Sequence, residues 1–371
     1  GVHNVMNWPR LEPGSQQRFV WPPSNEPDYQ ISDAEIANIR RVGFDFVRLT
    51  VGPEIFMATQ GRRSRELSEI LKRNVRRFRA ADLNVIVDLH PTWNSDAYSA
   101  ETIVNQTNLF RRYTDVVRQV ANDVREIGSG VALELMNEPL VSSAARWREM
   151  TLVLARAARD EAPHTPLIIS GYNGGGYEEL LALDPLPANL GPLIYTFHYY
   201  EPSFFTHQTQ IDSSRHVSGL EWPPQRNLLA RNTQRAQARI MADRELNNAA
   251  RLQAKTETAE ALQRYYARGH GPTMVTQAFE QVAAWADRHG IARDAIFLGE
   301  FGVVRTHWQY QGADEASRAR WLETVRGEAE RLGFSWSVWT YRGWGGMAIT
   351  AFEDPLAFDP ASLQALGLSA G

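Results

Sequence analysis

The chain has 371 residues, 43% of them hydrophobic and 22% charged, with a net charge of −4. That balance suits a globular protein with a real core, and it excludes both a basic nucleic-acid binder and, with no long apolar run, a membrane-spanning helix. Cysteine is absent, which rules out disulfides, thiolate metal sites and a cysteine nucleophile.

Short β-branched or aromatic runs alternate with longer amphipathic stretches along the chain. The first strand is predicted at 1–6. Asn7-Trp8-Pro9 follows it, where an open doubly wound sheet would place a glycine-rich phosphate turn. Ser32-Asp33-Ala34-Glu35 reads as a capping box, Ile36, Ile39 and Val42 recur at helical spacing, and Gly43 closes that helix. Further strands are predicted at 44–51, 83–89, 131–136, 167–170, 193–197, 295–298 and 335–340. Amphipathic helical runs lie at 70–81, 109–127, 147–158, 275–288 and 316–332.

Eight strands separated by helices predict an α/β fold, a (β/α)8 TIM barrel forming one catalytic domain over 1–371. Its active site is expected at the C-terminal strand ends. The sixth βα loop, 201–272, is too long for the pattern. Its segment Arg231–Arg268 has no Pro or Gly and reads as a helical insertion with too little apolar content for a core of its own.

Two of the strand ends carry carboxylates. The run Val131-Ala132-Leu133-Glu134-Leu135-Met136 leads into Asn137-Glu138-Pro139, and Leu298 leads into Gly299-Glu300-Phe301-Gly302. Two carboxyls facing each other across a barrel mouth are what glycoside hydrolysis requires: one protonates the leaving oxygen, and the other attacks or activates water.

Four further strand-end motifs accompany them: Val47-Arg48-Leu49, Asp88-Leu89-His90, His198-Tyr199-Tyr200 and Trp339. With these six elements in this order, nearly the whole chain resembles glycoside hydrolase family 5, the cellulase family. The resemblance implies a retaining double displacement, with Glu138 as acid/base and Glu300 as nucleophile. It places Arg48 and Tyr200 beside Glu300, gives Asn137 to the sugar 2-hydroxyl, and has His90 and His198 orient hydroxyls or the acid/base. Trp339 would floor the −1 subsite. Glu138, which must hold its proton until the leaving group departs, is expected in the less solvated setting.

Plainer readings stand beside these. A lone strand-end glutamate is commonly a cap or an ion-pair partner, Arg48 serves equally as a structural partner of Glu300, and the two histidines serve as supporting groups. Glu134, by strand alternation, is expected to face away from the neighbours of Glu138. Trp8, Trp21, Trp93, Trp222, Trp308 and Trp344 fall in predicted βα loops and are candidates for stacking on sugar rings, with Trp93 and Trp344 foremost. Trp147, Trp285 and Trp321 lie in helices and read as core. Gly174-Gly175-Gly176 lacks the lysine of a phosphate loop and reads as a flexible turn into a helix.

The substrate expected is a β-linked polysaccharide, most simply a β-1,4-glucan cut internally, with β-mannan, β-1,3-glucan or an acidic exopolysaccharide as alternatives. The last of these takes its motive from nine basic and four acidic residues between Arg226 and Arg268. Of the 39 basic residues only Lys72 and Lys255 are lysines, which reads first as codon bias. No cofactor, metal, membrane or nucleic-acid partner is expected, and the protein is expected to be monomeric. The chain begins with Gly, consistent with a secreted or periplasmic protein that has lost a leader. Two other classes compete: a metal-dependent barrel hydrolase using Glu138, Glu300, His90 and His198, and a carbohydrate-binding barrel without turnover. Neither His-x-His nor His-x-x-x-His spacing supports the first.

Overall fold

The computed structural model describes residues 1–5, 11–21, 23, 31–91, 95–306, 311–342, 346–351 and 353–369. Eight strands follow in chain order: β1 (Val2–Val5), β2 (Phe46–Val51), β3 (Asn84–Leu89), β4 (Val131–Glu134), β5 (Leu167–Ser170), β6 (Leu193–His198), β7 (Ile296–Glu300) and β8 (Ser335–Trp336). Each pairs in parallel with the next. The ring closes just past β8, where Val338 N–H donates to the Gly1 carbonyl at 3.2 Å and His3 N–H donates to the Val338 carbonyl at 3.0 Å. This is the predicted (β/α)8 barrel.

Strand composition sets two layers. On β2, Val47, Leu49 and Val51 alternate with Arg48 and Thr50, and all five are at most 1% exposed. Arg48 reaches across the barrel to Glu134 and Glu300, so the apolar set must face the helices. Arg48, Asp88, Glu134 and Glu300 therefore fill the upper interior with charge, which is tolerable only because each is paired.

The helices hold this cylinder at defined points. The capping box forms as predicted: Glu35 N–H donates to Ser32 Oγ at 3.2 Å, and Ser32 N–H donates to Glu35 Oε2 at 2.8 Å. Tyr113 Oη donates to the Leu135 carbonyl at 2.8 Å and Trp147 Nε1 to the Ser170 carbonyl at 2.9 Å, which pins two helices to the upper ends of β4 and β5. Trp147, Trp285 and Trp321 are core residues, as their helical positions predict. The helix expected from 70 starts at Arg62, since its first two turns are polar and carry little periodicity.

Between β6 and β7 lie the helices Ser203–Thr206, Leu229–Ala242, Asn248–Arg268 and Pro272–Arg288. The stretch read as one excursion is thus broken without Gly or Pro. Asn247 caps the second long helix through Oδ1, which accepts from Ala250 N–H at 2.9 Å, and Asp243 Oδ1 accepts from Glu245 N–H at 2.9 Å. Tyr265 Oη and Tyr266 Oη donate to the carbonyl and carboxylate of Glu221, each at 2.6 Å, which ties the insertion together, and Arg320 Nε of the helix Glu315–Arg331 donates to the Trp222 carbonyl at 3.0 Å, which seats it on the barrel. No helix among the described residues is long and apolar enough to cross a membrane.

Two cavities open at opposite ends. One of about 680 Å³ lies at the N-terminal strand ends and is walled by apolar groups such as Phe46, Ile86 and Ile168. The other, about 700 Å³, lies at the C-terminal ends and includes Glu138, His198 and Tyr200. Barrel chemistry belongs to the second face.

Candidate active site

Local backbone geometry explains why these residues carry the site. Glu138 has φ +41°, the left-handed region that non-glycine residues avoid, and Pro139 follows it. Its neighbours hold that conformation: Asn137 N–H donates to the Leu89 carbonyl at 2.9 Å, and Gly174 N–H donates to the Pro139 carbonyl at 3.0 Å. A strained backbone held by its surroundings is a mark of functional positions. On β7 the register passes from Phe197–Leu298 to His198–Glu300, so Gly299 is an extra residue, a bulge that sets Glu300 beside His198. A Cβ at Gly299 would stand 2.5 Å from Thr196 Oγ1 and 3.2 Å from the His198 ring. One at Gly302 would stand 2.4 Å from the Trp339 carbonyl. Close approach on both sides dictates the two glycines that flank Glu300.

The bulge creates a compact arrangement. Nδ1 of His198 is 2.9 Å from Oε1 of Glu138 and 3.6 Å from Oε2 of Glu300. A carboxylate oxygen of each glutamate and a ring nitrogen of His198 all lie within 4.8 Å of one another. Each oxygen of Glu300 has its own donor: Arg48 Nη1 to Oε1 at 2.6 Å, and Tyr200 Oη to Oε2 at 3.0 Å.

Beneath the pair runs a buried network. Arg48 donates from Nε and Nη2 to both oxygens of Glu134, at 2.7 and 2.8 Å, and from Nη2 to Asn137 Oδ1 at 2.7 Å. That contact turns the Asn137 amide so that Nδ2 lies 3.2 Å from Nε2 of His90, whose Nδ1 lies 2.8 Å from Asp88 Oδ2. His3 joins from β1: its Nε2 is 2.7 Å from Thr50 Oγ1, and its ring stacks on Trp339 with centroids 3.9 Å apart.

Electrostatics fixes the state of Glu300. Burial alone would raise Glu300, but His198 and Arg48, with His3 and His90 behind them, pull it down to about 2. Burial opposes charge on His198, yet Glu300 and Glu138 outweigh it and raise the ring. Burial, reinforced by Glu300 and Glu138, pushes the Tyr200 phenol well up, so it stays a donor. Among the described residues, His198 with Glu138 and Glu300, and His3 with His90 and Glu300, are the trios whose atoms would reach a shared metal ion. The contacts within both are also those of ordinary hydrogen-bonded clusters.

Residues 13–344 match the profile of the family described as Cellulase (glycosyl hydrolase family 5). The chain belongs to that family. Among curated relatives of this family 5 chain is Endoglucanase C of Acetivibrio thermocellus, 27% identical over 185 residues, which are 49% of this chain and 53% of that protein. The chain spans about half the length of the curated relatives it matches first. Among solved structures, the cellulose synthase subunit Z of Clostridioides difficile superposes with a TM-score of 0.69 at 22% identity, over 98% of each chain. A family 5 xyloglucanase from Paenibacillus pabuli does so with a TM-score of 0.71 at 14% identity, over 99% of this chain and 97% of that one. At these identities the superpositions speak for the fold.

The family 5 fold brings Glu138, Glu300, Arg48, His90, Asn137, His198, Tyr200 and Trp339 together at one rim, while Trp93 and Trp344 lie outside the described residues, as do Trp8 and Trp308. Three expectations need correction. Glu134 does not face away: it points into the barrel and clasps Arg48, because Val131 and Leu133 take the helix-facing side of β4 and leave Glu134 on the interior face, in register with Asp88. Glu138 is the more solvated of the pair, with 25% of its side chain exposed against 5% for Glu300. Arg48 stands beside Glu300 as expected and, being fully buried, holds Glu300 and Asn137 from beneath the cleft. Trp222 is 1% exposed and belongs to the core, while Trp21 donates to Glu66 and lies under Arg63, against an outer helix. The glycine run does lead into a helix, and it also braces the site: the Gly175 carbonyl accepts from His198 N–H at 2.8 Å. Sequence reasoning missed His3 altogether. Polar residues recurring in otherwise apolar strands, at His3, Thr50 and Glu134, were the available signal.

Proposed function

We propose that this family 5 chain is a retaining β-glycoside hydrolase that cuts a β-1,4-glucan internally, with Glu138 as acid/base and Glu300 as nucleophile. The observation that carries this reading is the pair of carboxylate oxygens within 4.8 Å of each other. Retaining sites hold their carboxyls about 5–5.5 Å apart, and inverting sites hold them about 6.5–9.5 Å apart to admit a water.

The surroundings fit the sequence of events. His198 and Arg48 favour the ionised form of Glu300, and Arg48 and Tyr200 aim it. Attack on the anomeric carbon forms a glycosyl ester on Glu300, while the Glu138 proton passes to the leaving oxygen. Negative charge thereby moves from Glu300 to Glu138. His198, within reach of both, stabilises whichever is ionised. Glu138 then takes a proton from water, which attacks the ester and restores Glu300. The greater exposure of Glu138 suits this second step, since its water must reach it. Trp339 floors the reacting ring over His3, and the Asn137 amide faces the 2-hydroxyl.

The names of similar proteins, an endoglucanase and an endo-beta-1,4-glucanase, support a β-1,4-glucan, and a solved neighbour in complex with a mannotriose substrate makes β-mannan the second substrate to test. The test is a 2-deoxy-2-fluoro cellobioside with a good leaving group, followed by peptide mapping. A stable label on Glu300 and first-formed β-anomers support the proposal. A label on another residue, or α-anomers, refutes it.

A further inference from the structure

The cavity of about 700 Å³ is lined by Glu138, His198 and Tyr200 but not by Glu300 or Trp339. The group that protonates the glycosidic oxygen stands beside the departing sugar. On the hydrolase reading above, on which this inference rests, the cavity is therefore the leaving-group half of the cleft.

Its wall is unevenly charged. Glu178 and Glu179 come from the short helix after β5, Glu201 from the end of β6, and Arg268 and His270 from the insertion. Glu178 and Glu201 form no ion pair among the described residues, and neither does Arg268. Glu179 turns back toward its own helix start, where Oε2 would meet a Cβ at Gly176 at 2.5 Å. Burial, with Glu178 and Glu201 adding to it, raises Glu179, so the three carboxylates feel one another. Burial lowers His270, whose ring then adds no charge near neutral pH. Arg268 is the one lining arginine among the described residues. Several other basic groups of the insertion act elsewhere: Arg239 donates to Ser218 and Gln311, Arg251 donates to the Asp243 carbonyl, Arg231 lies 3.7 Å from Glu221, and Arg264 lies 3.6 Å from Glu260.

We infer that the leaving-group half of the cleft selects a neutral or amine-bearing sugar and rejects a carboxylate-bearing one, with Glu178 and Glu201 as the selecting residues. Charge at this wall repels a uronate and attracts an ammonium through partly solvated space, where each pair has a modest effect that salt screens. An arginine-rich loop that recruits an acidic polysaccharide, the natural guess from composition, is the opposite of what lines the cavity.

The test uses three aryl β-cellobiosides with leaving groups of matched acidity: one neutral, one bearing a carboxylate and one bearing a trimethylammonium. At low ionic strength kcat/KM should run cationic, then neutral, then anionic, with about fivefold or more between the ends. The spread should shrink toward parity near ~0.5 M salt. The readout is that ratio and not the rate. Glu178→Gln should narrow it, Glu178→Gln with Glu201→Gln should abolish it, and Arg268→Gln should widen it. Equal use of all three glycosides by the wild-type chain, or a preference for the carboxylate, overturns the inference and leaves the hydrolase reading standing. No turnover of any of the three overturns both.

Discussion

Nη1 of Arg48 stands 2.6 Å from Oε1 of Glu300, with the arginine side chain entirely buried and the glutamate 5% exposed. The same guanidinium serves Glu134 and lies 3.1 Å from Asp88, so one cation offsets three carboxylates in the barrel interior. Removing it leaves buried charges unpaired, which costs about 3–5 kcal/mol. Arg48→Ala should therefore lose many degrees of Tm as well as turnover. Arg48→Lys keeps the charge but not the planar fork, so it should recover part of the Tm while kcat stays at least ~10-fold down. An Arg48→Ala protein that melts like the wild type would contradict this account of the interior.

The barrel was legible because its strands are short apolar runs at regular spacing, and the strand-end glutamates because Asn137-Glu138-Pro139 and Gly299-Glu300-Phe301-Gly302 each stop such a run. The orientation of Glu134 was misread, not hidden: Val131 and Leu133 are the apolar set of β4 and face the helices, so alternation already puts Glu134 on the interior face. His3 was hidden: its role depends on closure between the first strand and the residues after the last, a contact across 335 or more positions. The break at Asp243–Asn247 escaped notice because side-chain caps make it, where Gly or Pro would have marked it. The charge of the leaving-group wall was out of reach as well. Composition counts arginines, and only the fold says which of them line the cavity.

Glu54, in the helix after β2, is 1% exposed, and its Oε2 has no hydrogen-bond partner among the described residues. Burial raises its carboxyl to about 8. Below the ordinary value of about 4.5 the folded and unfolded chains both hold the proton, and Glu54 adds no pH dependence. As pH rises toward about 8 the unfolded chain ionises while the folded one does not, so stability falls, by about 3–5 kcal/mol in all. Glu54→Gln should therefore leave Tm almost unchanged near pH 4.5 and raise it at pH 8. Equal Tm differences at the two pH values would count against a buried neutral carboxyl.

His3 is lowered to about 4, mainly by burial, and so meets Trp339 as a neutral ring with an interplanar angle of 29°. If Trp339 floors the reacting sugar, its tilt depends on that support. His3→Ala should reduce kcat/KM by about tenfold with only a few degrees lost in Tm, and His3→Phe should restore most of kcat/KM by restoring the flat surface. Failure of the phenylalanine to rescue would shift the weight to the Thr50 hydrogen bond.

The two glutamates can be told apart by the stereochemistry of rescue. Without Glu300, as in Glu300→Ala, a glycosyl ester cannot form, and turnover should fall on the order of 10⁴-fold or more. Azide in the vacated space would attack the substrate directly while Glu138 protonates the leaving group, giving an α-glycosyl azide by a single inversion. Without Glu138, as in Glu138→Ala, an activated substrate can still glycosylate Glu300. Azide then attacks the ester unaided, and the second inversion gives a β-glycosyl azide. Arg48 keeps Glu134 and Asp88 as partners in the first variant, so both proteins should remain folded. Product NMR decides the matter: α-azide from Glu138→Ala or β-azide from Glu300→Ala would exchange the two assignments.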